Sequence, residues 1–111
     1  MNAFELAEVV IEQQKSGQAY FEFMHFSALS MGVYSLPAGG VDAQKPHTED
    51  EIYLVMKGKA TIRVDEEDRP VEVGSVVYVA ANVIHHFHSI IEDLTLLVLF
   101  APAEYSQAAK E

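Results

Sequence analysis

The sequence predicts an all-β protein, a barrel or sandwich of short strands preceded by one short helix. Two observations carry that prediction. After Gly17 the chain becomes a series of short apolar and aromatic runs, separated by turn residues about every eight to twelve positions. Within it, Ala60, Ile62 and Val64 alternate with Thr61 and Arg63, the period of a strand with one buried face. A length of 111 residues suits one domain, and the chain has no internal repeat or low-complexity segment.

The elements follow in order. Asn2 with Glu5 three residues later resembles a capping box. Phe4, Ala7, Ile11 and Gln14 then follow helical spacing, as do Leu6 and Val10, and Gly17 is a natural stop. Residues 1–18 are therefore expected to form a helix packed on a barrel spanning 19–103. Tyr20 to Ser35 reads as strand, with interruptions near Ser27 and Gly32, before the turn at Pro37, Gly39 and Gly40. Ile52 to Met56 is an unbroken apolar run that suits a strand buried on both faces. Asp65 to Asp68 is an acidic hairpin tip, Val71 and Val73 lead to Gly74, and Val76 to Val79 is a further strand. Ala80-Ala81-Asn82 reads as a turn in which Asn takes positive φ. His85 to Ile90 and Leu94 to Phe100 complete the strands. The tail, 104–111, is small or polar and is expected to fray.

Composition narrows the function. A net charge of −10 opposes binding to nucleic acid or to an anionic membrane surface. No apolar run reaches the roughly 18 residues of a membrane span. The start lacks the basic region and apolar stretch of a secretory signal, so a cytoplasmic location is expected. Half the residues are hydrophobic, high for so short a chain, and a homodimer is expected to cover part of that surface. With no cysteine, a transition metal would have to be held by imidazole and carboxylate.

Those groups are clustered. His47, Glu49 and Glu51 alternate, so an extended segment puts them on one face. On a later strand His85 and Phe87 share one face, and His86 and His88 the other. Two strands can thus aim His47, Glu51 and His85 into a common interior, as a triad that holds one divalent metal ion and leaves coordination positions open. The competing readings are a surface ion pair for His47 and Glu51 and a satisfied core histidine for His85. Glu49 and Asp50 read as solvated charges; His25, His86 and His88 read as structural or surface residues, with His86 the substitute ligand if the register slips by one. Tyr53, Tyr78 and Phe87 read as barrel-lining packing, with Tyr53 or Tyr78 able to present a hydroxyl to a ligand.

The spacing resembles the cupin superfamily over residues 32–100. Its first motif, G-x5-H-x-H-x3,4-E-x6-G, is met by Gly39, His47, Glu51 and Gly58; its second, G-x5-P-x-G-x2-H-x3-N, by Gly74 and His85. Lys45 stands at the first His, and Ala80, Asn82 and Ser89 replace Pro, Gly and Asn. The resemblance implies a jelly-roll barrel with a metal site at His47, Glu51 and His85. A protonated lysine cannot ligate, so Gln44, through a local bulge, is the possible additional ligand. Lys45 is either a solvated lysine or, sharing the His47 face, a group that orients the substrate; Tyr53 is a second orienting candidate. The implied function is a metal-dependent enzyme, dioxygenase-like or an isomerase, on a small oxygen-rich organic molecule. The alternatives are a non-catalytic cupin that binds metal or a small ligand, and a metal-free barrel. Two His and one Glu suit Fe, Mn, Ni, Co or Zn alike.

Overall fold

In a computed structural model that describes residues 1–108, one helix precedes an antiparallel sheet of six strands. The helix α1 spans Leu6–Ser16, and the strands are β1 (Tyr20–Phe26), β2 (Leu29–Leu36), β3 (Asp50–Val64), β4 (Glu67–Glu72), β5 (Val76–Val79) and β6 (His85–Ala101). The strand order is β1-β2-β6-β3-β4, with β5 also paired to β3. The sheet curls but is not closed by hydrogen bonds.

The two long strands position the site. The first half of β3 pairs with the second half of β6, as in Glu51 with Phe100, and its second half with the start of β6, as in Val64 with His85. The register shifts between Val55 and Thr61, where both strands bend. Gly58 sits in that bend at φ +95°, and an added Cβ would lie 2.3 Å from the Asp93 carbonyl oxygen, so a side chain is excluded by both space and backbone conformation. Ser89 takes φ 50° on the partner strand. Folding the pair over itself puts its inward side chains face to face, and Glu51 at one end of β3 meets His85 beside its other end. The apolar row between them includes Tyr53, Val55, Ile62, Phe87, Leu96, Val98 and Phe100, all buried.

Several local expectations meet a different outcome. The strands read as Ile52–Met56 and Ala60–Val64 are one strand, and so are His85–Ile90 and Leu94–Phe100. Ile52 to Met56 is not buried on both faces: Glu51, Tyr53 and Val55 point inward, while Ile52 is exposed and Leu54 and Met56 are half-buried. The Asn2 cap does not form either. Glu5 is the N-cap and makes no side-chain cap hydrogen bond. The helix buries Val9 and Gln13, not the Phe4–Ala7–Ile11 row. The reason is polar: the Gln13 amide donates to the carbonyls of Ala19 at 2.8 Å and Val33 at 3.2 Å, which fixes the helix rotation. Gly17 does end the helix at φ 71°, and Asn82 does take positive φ at 66°. Among the described residues no helix is long and apolar enough to cross a membrane.

Candidate metal centre

Glu51 sits where β3 is flanked on both sides, opposite Val79 of β5 and Phe100 of β6. His47 lies in the irregular segment before β3, tied down where the Asn82 N–H donates to its carbonyl at 2.7 Å. His85 opens β6. Its Nδ1 lies 2.8 Å from the Val83 carbonyl, which only accepts, so Nδ1 carries the proton and Nε2 is the free position.

The three side chains converge. Glu51 Oε1 is 3.0 Å from His85 Nε2 and 3.5 Å from His47 Nδ1, and one donor atom from each residue lies within 4.8 Å of the others. None of these approaches satisfies Glu51 Oε1 or His47 Nδ1: both are buried without an aligned hydrogen-bond partner. An unpaired buried polar atom costs about 1–3 kcal/mol, and more if charged. A divalent cation bound by these atoms removes that cost, so the donor set fits a metal ion.

Charge is arranged to the same end. Burial opposes a charge on His47, but the nearby Glu104 and Glu51 carboxylates outweigh it and raise its pKa to about 9. His85 moves the same way: burial lowers it, and Glu51 and the Val83 carbonyl more than compensate. Burial would raise the Glu51 carboxyl, yet His47, His85 and Tyr53 hold it below the usual carboxylate range. Both histidines are thus shifted toward the charged form by the carboxylates around them, in a pocket where a metal ion would otherwise supply positive charge.

The group opens onto a cavity of about 350 Å³, within the range of small-molecule sites. Its lining includes Tyr20, Tyr34, Gln44, Tyr53, Glu104 and Tyr105 beside His47 and Glu51. The Tyr53 hydroxyl donates to Gln44 Oε1 at 3.0 Å and lies 3.1 Å from His85 Nε2. Burial first, and Glu51 next, push its pKa well up, so it stays a hydroxyl. Gln44 Nε2 donates to Asp42 at 2.6 Å, and Asp42 also accepts from the Tyr34 hydroxyl at 2.6 Å and the Phe87 N–H at 2.9 Å. Gln44 therefore reaches the cavity with both ends of its amide engaged, one hydrogen bond removed from the triad through Tyr53.

Of the two readings of Lys45, the structure has the solvated one: it is exposed and does not line the cavity, because the segment from Val41 to His47 is irregular and the two-residue alternation does not hold there. Tyr78 is also outside, on the outer face of β5. Glu49 is not solvated: it is 1% exposed. Its carboxylate accepts from the N–H of Tyr105 at 2.5 Å and of Gln107 at 3.0 Å, and from the Thr48 hydroxyl. The tail segment is thereby tied to Glu49 at Tyr105 and Gln107, and residues 109–111 of it lie outside the described residues. Tyr20, Asp42 and Glu104 went unread as site residues. Asp42, beside the Gly39-Gly40 turn, looks like an ordinary turn residue, and Glu104 sits in a polar tail with no periodic signal. His25 is exposed against Glu22, and His88 pairs with Asp68 at 2.8 Å on the surface.

The structure is a curled antiparallel sheet whose inner face carries Glu51 and His85, with His47 brought beside them from the segment before β3, a group that could hold a metal ion. The family model for the cupin domain matches residues 32–101, and the chain belongs to that family. An uncharacterized protein of Streptomyces coelicolor is 48% identical over 104 residues, which cover 94% of this chain and 99% of the relative. The crystal structure of TT1209 from Thermus thermophilus superposes with a TM-score of 0.75 at 22% identity, over 93% of this chain and 99% of that one. The DMSP lyase DddQ of Ruegeria pomeroyi does so with a TM-score of 0.67 at 21% identity, over 77% of this chain and 42% of that one.

Proposed function

We propose that this cupin holds one divalent transition-metal ion through His47, Glu51 and His85 and acts on a small oxygen-bearing organic molecule in the adjoining cavity. The observation that carries this reading is the pair of buried, unpartnered donor atoms, Glu51 Oε1 and His47 Nδ1, facing His85 Nε2. When bound, the ion supplies Lewis acidity, and a three-residue set leaves it positions for substrate or O₂. Dioxygenase chemistry is the first activity to test on that ground, with isomerisation second. The chain's own contribution is a set of hydroxyls. Tyr53 holds its proton beside the site, and the buried Tyr20 hydroxyl has no hydrogen-bond partner of its own, which leaves it for a ligand oxygen. No lysine or arginine lines the cavity among the described residues, which favours a neutral, oxygen-rich ligand over one held by its anionic group.

Metal analysis of the purified protein tests the reading. We expect one equivalent of metal, lost on Glu51→Ala and on His85→Ala with the fold retained by circular dichroism. A parent protein that takes up no Fe, Mn, Ni, Co or Zn would overturn it. The second reading, a non-catalytic ligand-binding cupin, is favoured by the exposure of Lys45, which removes one candidate for handling substrate. Metal-dependent turnover across a panel of neutral diols, hydroxy ketones, sugars and catechols separates the two. The net charge of −10 supports a small-molecule partner over nucleic acid, and the lack of cysteine fits the cytoplasm. A second copy of the chain is proposed for the outer face of β3, β5 and β6, where Ile52 and Leu54 pair in register with Tyr78 and Val76 and with Leu99 and Leu97.

A further inference from the structure

The His47 ring has two nitrogens, and they face different carboxylates. Nδ1 faces Glu51 Oε1 at 3.5 Å, while Nε2 lies 3.3 Å from Glu104 Oε2. Glu104 belongs to the C-terminal segment, 57 positions along the chain from His47, yet both side chains are largely buried. Its carboxylate is not part of the group whose donor atoms all lie within 4.8 Å of one another. Glu104 therefore addresses the far side of the imidazole.

We infer that Glu104 is a positioning residue, which accepts a hydrogen bond from His47 Nε2–H and so fixes Nδ1 as the lone pair aimed at the metal. A neutral imidazole carries one proton, and the group bonded to one nitrogen decides which nitrogen is free. A carboxylate behind a ligating histidine also makes the imidazole a stronger donor and holds the ring plane. Glu104 is suited to this because its backbone is fixed on both sides. Its own N–H donates to the buried Ser30 hydroxyl at 2.9 Å. The next N–H, from Tyr105, and that of Gln107 are held by the buried Glu49 carboxylate. Ala103, just before, is 1% exposed. The C-terminal segment thus delivers one carboxylate to one ring nitrogen. Tyr105, its neighbour, lies over the same ring with centroids 6.1 Å apart.

The inference rests on the metal reading, and its test keeps the two apart. Zn²⁺ serves as the probe, with affinity measured by chelator competition for the parent, Glu104→Gln and Glu104→Ala. Removing such a partner typically costs about 10- to 100-fold in affinity. We expect a loss of at least about tenfold for Glu104→Ala, and partial recovery for Glu104→Gln, whose amide oxygen still accepts. The readout that a merely structural role would not move is the ¹⁵N spectrum of the histidines in the Zn²⁺-loaded protein. In the parent, His47 should show a metal-bound Nδ1 and a protonated Nε2; in Glu104→Ala that pattern should become mixed or reverse. Because Glu104→Gln preserves size and the backbone anchors, it carries the test even if Glu104→Ala loosens the segment. A parent that binds Zn²⁺, with both variants within twofold of it and an unchanged His47 spectrum, overturns the role of Glu104 alone. A parent that binds no Zn²⁺ overturns both readings.

Discussion

Glu49 and Glu51 stand two residues apart, are 1% and 2% exposed, and differ in one respect: Glu49 is saturated with hydrogen-bond donors and Glu51 Oε1 has none. Burial alone would not tell them apart. A buried carboxylate that accepts two backbone N–H groups and a hydroxyl is a structural tie. A buried carboxylate whose oxygen faces two imidazoles without aligned hydrogens is a site for a cation.

That difference predicts opposite consequences for the two residues. Glu49→Ala should release the C-terminal segment, because the amides of Tyr105 and Gln107 lose their acceptor. Hydrogen exchange at those two amides should accelerate by at least about tenfold, with a stability loss of about 1–3 kcal/mol. Unchanged protection at both amides would show that the segment is held by something else.

Metal-free protein should be most stable in mildly acidic solution. His47 is raised above its ordinary 6.5 to about 9, so the stability it contributes is complete below about 6.5 and is lost as pH rises through 9. His85 is displaced in the same direction. Glu51 is held below its ordinary 4.5, so its contribution is complete above about 4.5 and is lost as pH falls through its lowered value. Thermal midpoints of chelator-treated protein should therefore peak between about pH 4.5 and 6.5 and decline toward pH 9. A midpoint that climbs across that alkaline interval would contradict the assignment.

Tyr53→Phe isolates one hydroxyl. The ring is buried against Phe87, with centroids 5.0 Å apart, so its packing survives the substitution. The loss is the donor to Gln44, which leaves a half-buried amide oxygen short of a partner. Urea unfolding should show a cost of about 1–3 kcal/mol. Zn²⁺ stoichiometry should stay at one, since the triad atoms are untouched; loss of the metal would make Tyr53 a ligand.

Light scattering on a size-exclusion column should give about twice the 12.3 kDa of the chain. Val76 and Tyr78 are 66% and 59% exposed, and with Ile52, Leu54, Leu97 and Leu99 they form a continuous apolar face. A stable interface there needs to bury more than about 1,000 Å² in total. Tyr78→Lys, which puts a charge on the β5 side of that face, should yield the monomer mass. A parent that elutes as monomer at micromolar concentration refutes the dimer.

The sequence by itself determined the fold class and the three residues of the candidate site. Strand alternation has a period of two and is written locally, and the spacings Gly39–His47–Glu51–Gly58 and Gly74–His85 lie within short windows. Gly17 and Asn82 were legible for the same reason, since positive φ is a property of one residue and its turn. Tertiary structure alone decided what depends on contacts across the chain. The bonds from Tyr105 and Gln107 to Glu49 join residues 56 and 58 positions apart, and that of Glu104 to Ser30 joins residues 74 apart. Such pairings leave no periodic trace in a polar tail. The helix face was likewise set by Gln13 reaching the Val33 carbonyl, a polar contact that hydrophobic spacing does not encode. Sequence left Lys45 open between solvent and the His47 face, because alternation presumes an extended strand and the backbone adopts regular β geometry only from Asp50. Local sequence specifies backbone conformation and which face is apolar; where a carboxylate finds its donors is decided by which distant segments the curled sheet brings together.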